Sequence, residues 1–336
     1  MVAVGLGALT TGVIAEVDDR GRVVRGPVSL CWRVRCGDRW IDPATDVSAR
    51  TSRVGAAPMT HTAVRVPGGD AVGRAYAVGD HGGVVTLEVE NDSPEAIAVA
   101  FAVRGAGVED VLALPRRPGA IEPDGAVVFP VPHRTVLRVA LGDPGVDVRT
   151  LPDWRAVGRG WDAMLERGMR AELPEPWQSE IGAARADLLL APPTPAAFVA
   201  LEDWGFDDEA AAMWPHLGMR ARRVARRRTA DTGVLGEMRA ALVRERGRDI
   251  ELLPGFRPEW LGEQLAVHDA PLRRGRLSFA LRWHGARPAL LWEAPPGTVL
   301  RTPAIDPRWA STSATGEALL AAPADGTRVA TPESFS

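Results

Sequence analysis

The chain has 336 residues, of which 46% are hydrophobic and 25% are charged, and its formal net charge at pH 7 is −3. These proportions are those of an ordinary soluble protein, and the length allows two or three domains. The near-neutral charge excludes a global attraction to nucleic acid or to an anionic membrane. No segment approaches the ~20 consecutive apolar residues that cross a bilayer, and the opening residues lack the basic stretch of a secretory leader. We therefore expect a cytoplasmic protein with no nucleic-acid or membrane partner.

The cysteines, histidines and glycines give no signal for a metal or a cofactor. Cys31 and Cys36 lie five positions apart on one predicted strand, so their side chains point to opposite faces and we expect two free thiols. The six histidines show no spacing typical of metal ligands. Gly5, Gly7 and Gly12 resemble a dinucleotide-binding loop, but the third glycine comes two positions late. We expect neither a cofactor nor a metal.

Residues 1–148 are predicted to form short antiparallel strands. Apolar and polar side chains alternate from Val28 to Arg35, and the same period of two recurs at 85–90 and 97–103. Turn signals such as Pro123-Asp124-Gly125 separate these segments. Many short strands without a long helical pattern predict an N-terminal antiparallel β-sandwich.

The period changes to that of helices in residues 149–247. Asp153 is a candidate N-cap for a helix that places Trp154, Trp161 and Leu165 on one face. A second helix is predicted to begin near Pro176. Shorter helices are predicted at 195–204, 207–217, 219–228 and 234–246, the last ending at Gly247. The pattern indicates a short helical middle region.

Residues 248–336 return to the strand pattern. Apolar side chains from Leu277 to Trp283 alternate with polar or small ones. The tail after Ala321 is small and polar, and we predict that it is loose. The expected fold is thus a multidomain α+β protein with an N-terminal antiparallel β-sandwich, a short helical middle region and a C-terminal β-segment.

Two segments resemble a known superfamily. The first comprises Trp161, Leu165, Met169, Leu173-Pro174-Glu175 and Ala186-Asp187-Leu188-Leu189, and the second runs from Leu252-Leu253-Pro254-Gly255 to Pro258-Glu259-Trp260-Leu261-Gly262. They resemble the linker helix with the first barrel helix, and the exit from the barrel, of the six-hairpin (α/α)6-toroid glycosidases. The predicted order of domains is similar as well. The resemblance implies a carbohydrate as the partner.

The helical region is too short for such a toroid. Twelve helices of ~11 residues with connections of ~5 need about 190 residues, and the stretch from Trp154 to Gly247 has roughly half of that. The loops that hold the catalytic acid and base in the superfamily would be mostly missing, so no catalytic residue is carried over. This favours a protein that is not an enzyme, namely a non-catalytic carbohydrate-related or scaffolding module.

An acidic cluster beside Trp204 offers the alternative of an active glycoside hydrolase. Hydrolysis of a glycoside needs two carboxyl groups that flank the bond. Glu202 and Asp203 are the candidates for this pair, with Trp204 stacking on the sugar ring. The same residues, followed by Asp207-Asp208-Glu209, are also typical of a helix end before the acidic first turn of the next helix. We favour the latter, structural interpretation.

Two other features of the sequence are candidate ligand sites. Trp260 follows Pro258 in a predicted loop, where its indole face is a candidate to stack on a sugar. The arginines within Arg220–Arg228 are a candidate site for phosphate or nucleic acid. They follow an acidic helix that can neutralise them, which favours a paired or solvated face.

A protein–protein interaction module is the third alternative. An incomplete toroid leaves apolar helix faces that need cover. A homodimer would supply this cover from a second copy of the same chain.

Overall fold

The computed structural model describes residues 3–227 and 233–322. These residues form a mixed α+β protein with 41% strand, 22% helix, several antiparallel sheets and seven helices, which confirms the predicted α+β class. The predicted loose tail lies outside the described residues from residue 323 on, as does the last residue of the predicted helix 219–228.

The chain divides into two compact units. The first comprises the chain up to Ala163 together with Leu189–Ala191, and the second comprises Met164–Leu188 and the chain from Pro192 on. The three domains predicted from the sequence, with borders after residues 148 and 247, are a finer division than these two units and stay a prediction.

The first unit is built mainly from strands. In chain order these are β1 (Val4–Ala8), β2 (Gly12–Val17), β3 (Val23–Arg25), β4 (Val28–Cys36), β5 (Arg39–Ile41), β6 (Arg50–Arg53), β7 (Thr60–Val66), β8 (Gly69–Val78), β9 (Val84–Asn91), β10 (Ile97–Arg104), β11 (Leu112–Ala113), β12 (Ala120–Ile121), β13 (Val127–Val131) and β14 (Val136–Leu141), with a short helix α1 (Val108–Val111) before β11. One antiparallel sheet has the order β1-β2-β3-β4-β10-β13-β12, with β5 beside β4. A second antiparallel sheet has the order β11-β14-β9-β8-β7-β6.

Both sheets contribute to one hydrophobic core. On β4, Leu30, Trp32 and Val34 are buried in this core, whereas Cys31 between them points to the other face, as the period of two requires. Leu87 on β9, in the second sheet, is buried in the same core. Burial of one such side chain contributes ~1.5–3 kcal/mol relative to leaving it exposed. The shared core therefore holds the two sheets together.

A buried polar network occupies the second sheet outside this core. The Tyr76 hydroxyl lies 2.7 Å from Glu88 Oε1 and 2.9 Å from the Pro152 carbonyl oxygen. Arg138 donates to the same carboxylate through Nε at 2.9 Å and to the Leu151 carbonyl at 2.6 Å. Burial, and then the Glu88 charge, raise the pKa of Tyr76 far above its usual value, so the hydroxyl stays protonated. The network ties the segment before the first long helix to the sheet.

Helices occupy the middle of the chain. They are α2 (Trp154–Leu165), α3 (Trp177–Leu189), α4 (Pro195–Asp203), α5 (Asp207–Met213), α6 (Met219–Arg226) and α7 (Val234–Leu242), with short 3-10 turns at Trp214–His216 and Pro258–Trp260. The predicted cap of α2 is confirmed, because Asp153 accepts the backbone N–H of Ala156 at 2.7 Å. Thr194 caps α4 in the same way, accepting the N–H of Ala197 at 3.1 Å. These caps fix where the two helices begin.

The second unit contains the remaining strands. In chain order they are β15 (Arg170–Glu172), β16 (Val243–Arg246), β17 (Asp249–Leu252), β18 (Leu265–Leu272), β19 (Gly275–His284), β20 (Arg287–Glu293), β21 (Val299–Thr302), β22 (Asp306–Ser311) and β23 (Thr315–Leu319). One sheet has the order β15-β18-β19-β20-β23 and the other β16-β17-β21-β22. The pair β17 and β21 is parallel, and the other pairs in these sheets are antiparallel.

The predicted helix 234–246 is wrong at its C-terminal end. Helix α7 ends at Leu242, and Val243–Arg246 pairs with Asp249–Leu252 as a hairpin. Gly247 lies in the turn with a φ of 69°, a left-handed conformation that glycine adopts without steric cost. A glycine at this place therefore marks a strand turn, where the sequence pattern indicated a helix end.

The predicted helix 207–217 is also shorter than expected. It forms α5 up to Met213 and continues as the 3-10 turn at Trp214–His216. Pro215 lacks the backbone N–H that a further α-helical turn requires.

Candidate functional site

The predicted acidic cluster lies where α4 ends and α5 begins. Gly205 has a φ of 75° and ends α4 in the left-handed conformation. The backbone N–H of Met169 donates to the Trp204 carbonyl at 2.7 Å, which holds the segment after α2 against this turn. A Cβ on Gly168 would lie 2.7 Å from the same carbonyl oxygen, so the close approach requires glycine. The tight turn positions the carboxylates on both sides of it.

The carboxylates of the first turn of α5 pair with arginines. Asp207 lies 2.8 Å from Arg276, and Arg167 lies 2.5 Å from Asp208 and 3.0 Å from Glu209. Asp207 and Asp208 are mostly exposed, so each of their pairs contributes at most about 1 kcal/mol. Negative charge at a helix N-terminus is favourable in addition. These three side chains thus stabilise the start of α5, as the structural interpretation of the sequence expected.

The predicted catalytic candidates, Glu202 and Asp203, line one pocket of the second unit. Its volume is about 510 Å³. The other charged side chains of its lining are Asp207, Arg239, Arg244, Glu245 and Arg273. Because carboxylates and guanidinium groups face the same cavity, its chemistry suits a polar ligand that both donates and accepts hydrogen bonds.

Arg239 joins three parts of this pocket. Its Nε donates to the Asp203 carbonyl at 3.2 Å, and its two terminal nitrogens donate to the carbonyls of Val243 at 2.9 Å and Pro271 at 2.6 Å. These carbonyls lie at the end of α4, at the end of α7 and on β18. A cation is favourable at helix C-termini, where unpaired carbonyl groups carry partial negative charge. Arg239 therefore builds the wall of the pocket.

Trp204 is packed inside the second unit. Its side chain is 1% exposed, its Nε1 donates to the Leu235 carbonyl at 3.3 Å, and the Arg185 guanidinium lies 5.8 Å from its ring centroid. Burial, with a smaller contribution from Arg170, lowers the pKa of Arg185 to about 10, so the cation persists at neutral pH. The indole faces are covered by the protein, and the predicted stacking of Trp204 on a sugar gains no support from these surroundings.

Trp260 is also buried. It belongs to the 3-10 turn Pro258–Trp260 and not to an open loop, and its side chain is 0% exposed. Its backbone N–H donates to the Arg257 carbonyl at 3.0 Å, which closes the turn. The ring itself does not face solvent, so its role in binding a ligand stays a prediction.

Trp260 is the inner neighbour of a group of partly exposed side chains around Arg257. The guanidinium carbon of Arg257 lies 4.2 Å from the ring centroid of Trp177 and 5.8 Å from that of Trp260. The ring centroid of Phe256 lies 6.1 Å from that of Trp260 and 6.4 Å from that of Trp283. We call Trp177, Phe256, Arg257 and Trp283 the Arg257 cluster; all four are intermediate in exposure.

Three N–H groups in and behind the Arg257 cluster lack an acceptor. Nε of Arg257 and Nε1 of Trp260 and Trp283 are buried, and no described residue accepts a hydrogen bond from them. A buried donor without an acceptor costs ~1–3 kcal/mol. The packing at the Arg257 cluster therefore leaves three buried donors without partners among the described residues.

Sequence reasoning missed Trp177 and Arg257 as a pair. In the sequence, Trp177 fits the apolar face of a helix, and Arg257 is one of many arginines. The two residues are far apart in sequence, and only the fold brings them together. The signal that was present is the position of Arg257 between two aromatic residues, Phe256 and Trp260.

The arginine run around α6 is partly used for packing. Arg222 donates to the carbonyls of Trp214 at 3.2 Å and Pro215 at 3.0 Å. Arg222 and Arg226 lie 5.3 and 5.5 Å from the Trp214 ring centroid, and that ring packs 4.9 Å from Phe198. The predicted run extends to residue 228, which lies outside the described residues. These contacts favour the interpretation of a paired face.

A second polar groove lies in the first unit, on the face of β4 that points away from the core. Its volume is about 480 Å³, and its lining includes Cys31. Two ion pairs border it, Arg22 with Asp18 at 3.0 Å and Arg33 with Asp124 at 2.8 Å. Burial raises the pKa of the Cys31 thiol, so the thiolate is disfavoured at neutral pH. Both cysteines are free, as predicted.

The ranges 3–227 and 233–322 contain no group of three or more His, Cys, Asp or Glu side chains placed to hold a metal ion. Among the helices of these ranges, none is long and apolar enough to cross a membrane.

Comparisons with known proteins give no relative for this chain. No protein-family profile, no curated protein and no solved structure matches it.

Proposed function

We propose that this chain is a non-catalytic, carbohydrate-related binding or scaffolding module. Its architecture would be that of a six-hairpin glycosidase with a reduced helical region between a β-sandwich and a C-terminal β-domain. The support for this relationship is the pair of motifs around Trp161–Leu189 and Leu252–Gly262, together with the order of strands and helices along the chain.

The main observation in favour of a non-catalytic protein is that carboxylates of the acidic cluster form ion pairs. Asp207, Asp208 and Glu209 are paired with arginines at 2.5–3.0 Å. Inversion or retention at a glycoside needs two carboxyl groups facing the bond and free to exchange protons with it. The ring of Trp204, which would stack on the sugar between them, is buried. Three of the five carboxylates are thus engaged at the start of α5, and the ring expected to stack on the sugar is covered, which supports a helix junction over a catalytic centre.

The length of the helices supports the same conclusion. After α2, the described residues contain α3 to α7, which have 13, 9, 7, 8 and 9 residues. A toroid of twelve helices at ~11 residues each cannot be assembled from these segments.

The test is an activity screen of the purified chain. We expect no release of sugar above the buffer blank from a panel of aryl glycosides and oligosaccharides between pH 5 and 8. Turnover that survives repurification and disappears in Glu202→Gln would overturn the proposal. Asp208→Asn is the matched control, because this carboxylate is exposed and pairs with Arg167 outside the pocket lining.

The second candidate function is a glycoside hydrolase that uses Glu202 and Asp203. The observation in its favour is that both side chains line the same pocket, beside three arginines. If this candidate is right, Glu202→Gln and Asp203→Asn each lower kcat by about 10²–10⁴, the usual contribution of a general acid or base. Asp208→Asn would leave the rate within twofold.

A further inference from the structure

We infer that the Arg257 cluster binds an acidic sugar, that is, a pyranose ring that carries a carboxylate. The inference rests on the proposed carbohydrate-related function. It assigns the ligand to a site that shares no residue with the pocket of Glu202 and Asp203. The cluster consists of Trp177, Phe256, Arg257 and Trp283, all in the second unit.

The aromatic rings supply the surface for the sugar ring. Trp177, Phe256 and Trp283 are each partly exposed, in contrast to the buried Trp204 and Trp260. The C–H groups on one face of a pyranose carry slight positive charge and pack on the negative face of an indole. Arg257 lies over one face of Trp177, and the ring centroids of Phe256 and Trp283 lie 6.4 Å apart, so the rings of Phe256 and Trp283 are the partly exposed aromatic surface beside it.

Arg257 supplies the charge. Its guanidinium carbon lies 4.2 Å from the Trp177 ring centroid, a cation–π contact that restricts where the group can lie. None of its N–H groups donates a hydrogen bond to a described residue, and no described carboxylate forms an ion pair with it. A guanidinium held in place by a ring and with open donors can bind a carboxylate through two parallel hydrogen bonds. Charge complementarity therefore selects an acidic sugar over a neutral one.

Two indole donors in and beside the cluster lie below the surface that a ligand can reach. Trp260 is fully buried with Nε1 unpaired, and Nε1 of Trp283 is buried and unpaired as well. The guanidinium carbon of Arg257 lies 5.8 Å from the Trp260 ring centroid. Both indole nitrogens have almost no accessible surface, so a bound sugar contacts the guanidinium and the partly exposed rings, and not these indole N–H groups.

The test is a titration of the whole chain with tri-galacturonate, followed by calorimetry. The matched neutral ligand is the methyl ester of the same trisaccharide, which keeps the rings and removes the charge. We expect the acid to bind at least tenfold more tightly than the ester, and the difference to shrink as salt is raised. Equal affinity for the acid and the ester overturns the inference.

Variants locate the site. We expect Arg257→Met and Trp177→Leu each to weaken binding of the acid at least tenfold. Arg257→Lys keeps the charge without the planar donor array, so its loss should be intermediate. Arg282→Met is the matched control, because Arg282 precedes Trp283 on β19 and its exposed side chain points to the opposite face. Its affinity should stay within twofold of the wild type, and circular dichroism establishes that each variant is folded.

The outcomes separate this inference from the function on which it rests. If the acid binds equally well to the Arg257 and Trp177 variants, or if only neutral sugars bind, the site assignment is overturned and the proposed function stands. If a wider panel of acidic and neutral sugars fails to bind, the carbohydrate part of the proposed function is overturned as well. Catalytic turnover at the other pocket overturns the non-catalytic proposal and leaves this site intact.

Discussion

At the residue scale, arginine side chains hold segments of this chain together through backbone carbonyl groups. Arg138, Arg222 and Arg239 each donate to two or more carbonyls at 2.6–3.2 Å. The guanidinium has five N–H donors in one plane, so a single side chain can bridge several acceptors. All the basic residues besides histidine are arginines, and part of that composition is thus used inside the fold. The many arginines are poor evidence for an anionic partner.

His61 gives a prediction for the pH dependence of stability. It lies on β7 opposite Arg74 on β8, and burial, followed by the Arg74 charge, lowers its pKa below the usual value. Below about pH 6.5 the unfolded chain therefore binds more protons than the folded one, and the contribution of His61 to stability is lost as the pH falls further. We expect the free energy of unfolding of His61→Gln to fall less than that of the wild type between pH 7.5 and pH 5. Urea unfolding at both pH values measures this, and equal losses would contradict it.

At the element scale, the close contact between the segment after α2 and the end of α4 depends on small residues. Gly168 lies against the Trp204 carbonyl and against the ring of Phe206, where an added Cβ would meet atoms at 2.7 and 2.8 Å. The backbone hydrogen bond from Met169 to Trp204 requires this approach. The site of the acidic cluster is thus fixed by a glycine outside it.

A pair of glycine substitutions tests this contact. We expect Gly168→Ala to destabilise the chain by ~1–3 kcal/mol, because the backbone of the neighbouring turn has to move to admit the methyl group. Gly160→Ala is the matched control: it lies on an exposed face of α2 with nothing within 4 Å of its Cβ position. Alanine is the better helix former by ~0.5–1 kcal/mol, so the control should be neutral or stabilising. Similar urea midpoints for both variants would contradict the assignment.

Regular elements could be predicted from the sequence where one local rule dominates. The alternating burial predicted for β4 and the helix cap predicted at Asp153 are both found in the structure. The hairpin of β16 and β17 could not be predicted, because Gly247 is equally suitable after a helix and in a strand turn. At the candidate site, the sequence located Glu202 and Asp203, which share a pocket. It did not reveal the contact of Arg257 with Trp177, because that contact depends on long-range packing.

At the scale of the whole molecule, the two compact units differ in how they are built. The core that joins the two sheets of the first unit contains buried residues from Leu6 to Leu141 and none from the helices. The second unit mixes α3 to α7 with two smaller sheets. The candidate pocket and the Arg257 cluster both belong to the second unit.

A fragment tests the independence of the first unit. Because its main core is complete before residue 142, we expect residues 1–163 to fold alone, although they lack the small contribution of Leu189–Ala191. Circular dichroism should show a strand-rich spectrum, and urea should unfold the fragment in one cooperative transition. A fragment that stays unfolded in buffer would show that the first unit requires the rest of the chain.

The position of Arg239 has a consequence for motion. One side chain is bound at the same time to the end of α4, the end of α7 and β18. Releasing any one of these segments removes a hydrogen bond that helps to hold the guanidinium in place for the others. We therefore expect the three segments to protect their backbone amides from hydrogen exchange together, and Arg239→Met to raise exchange in all of them.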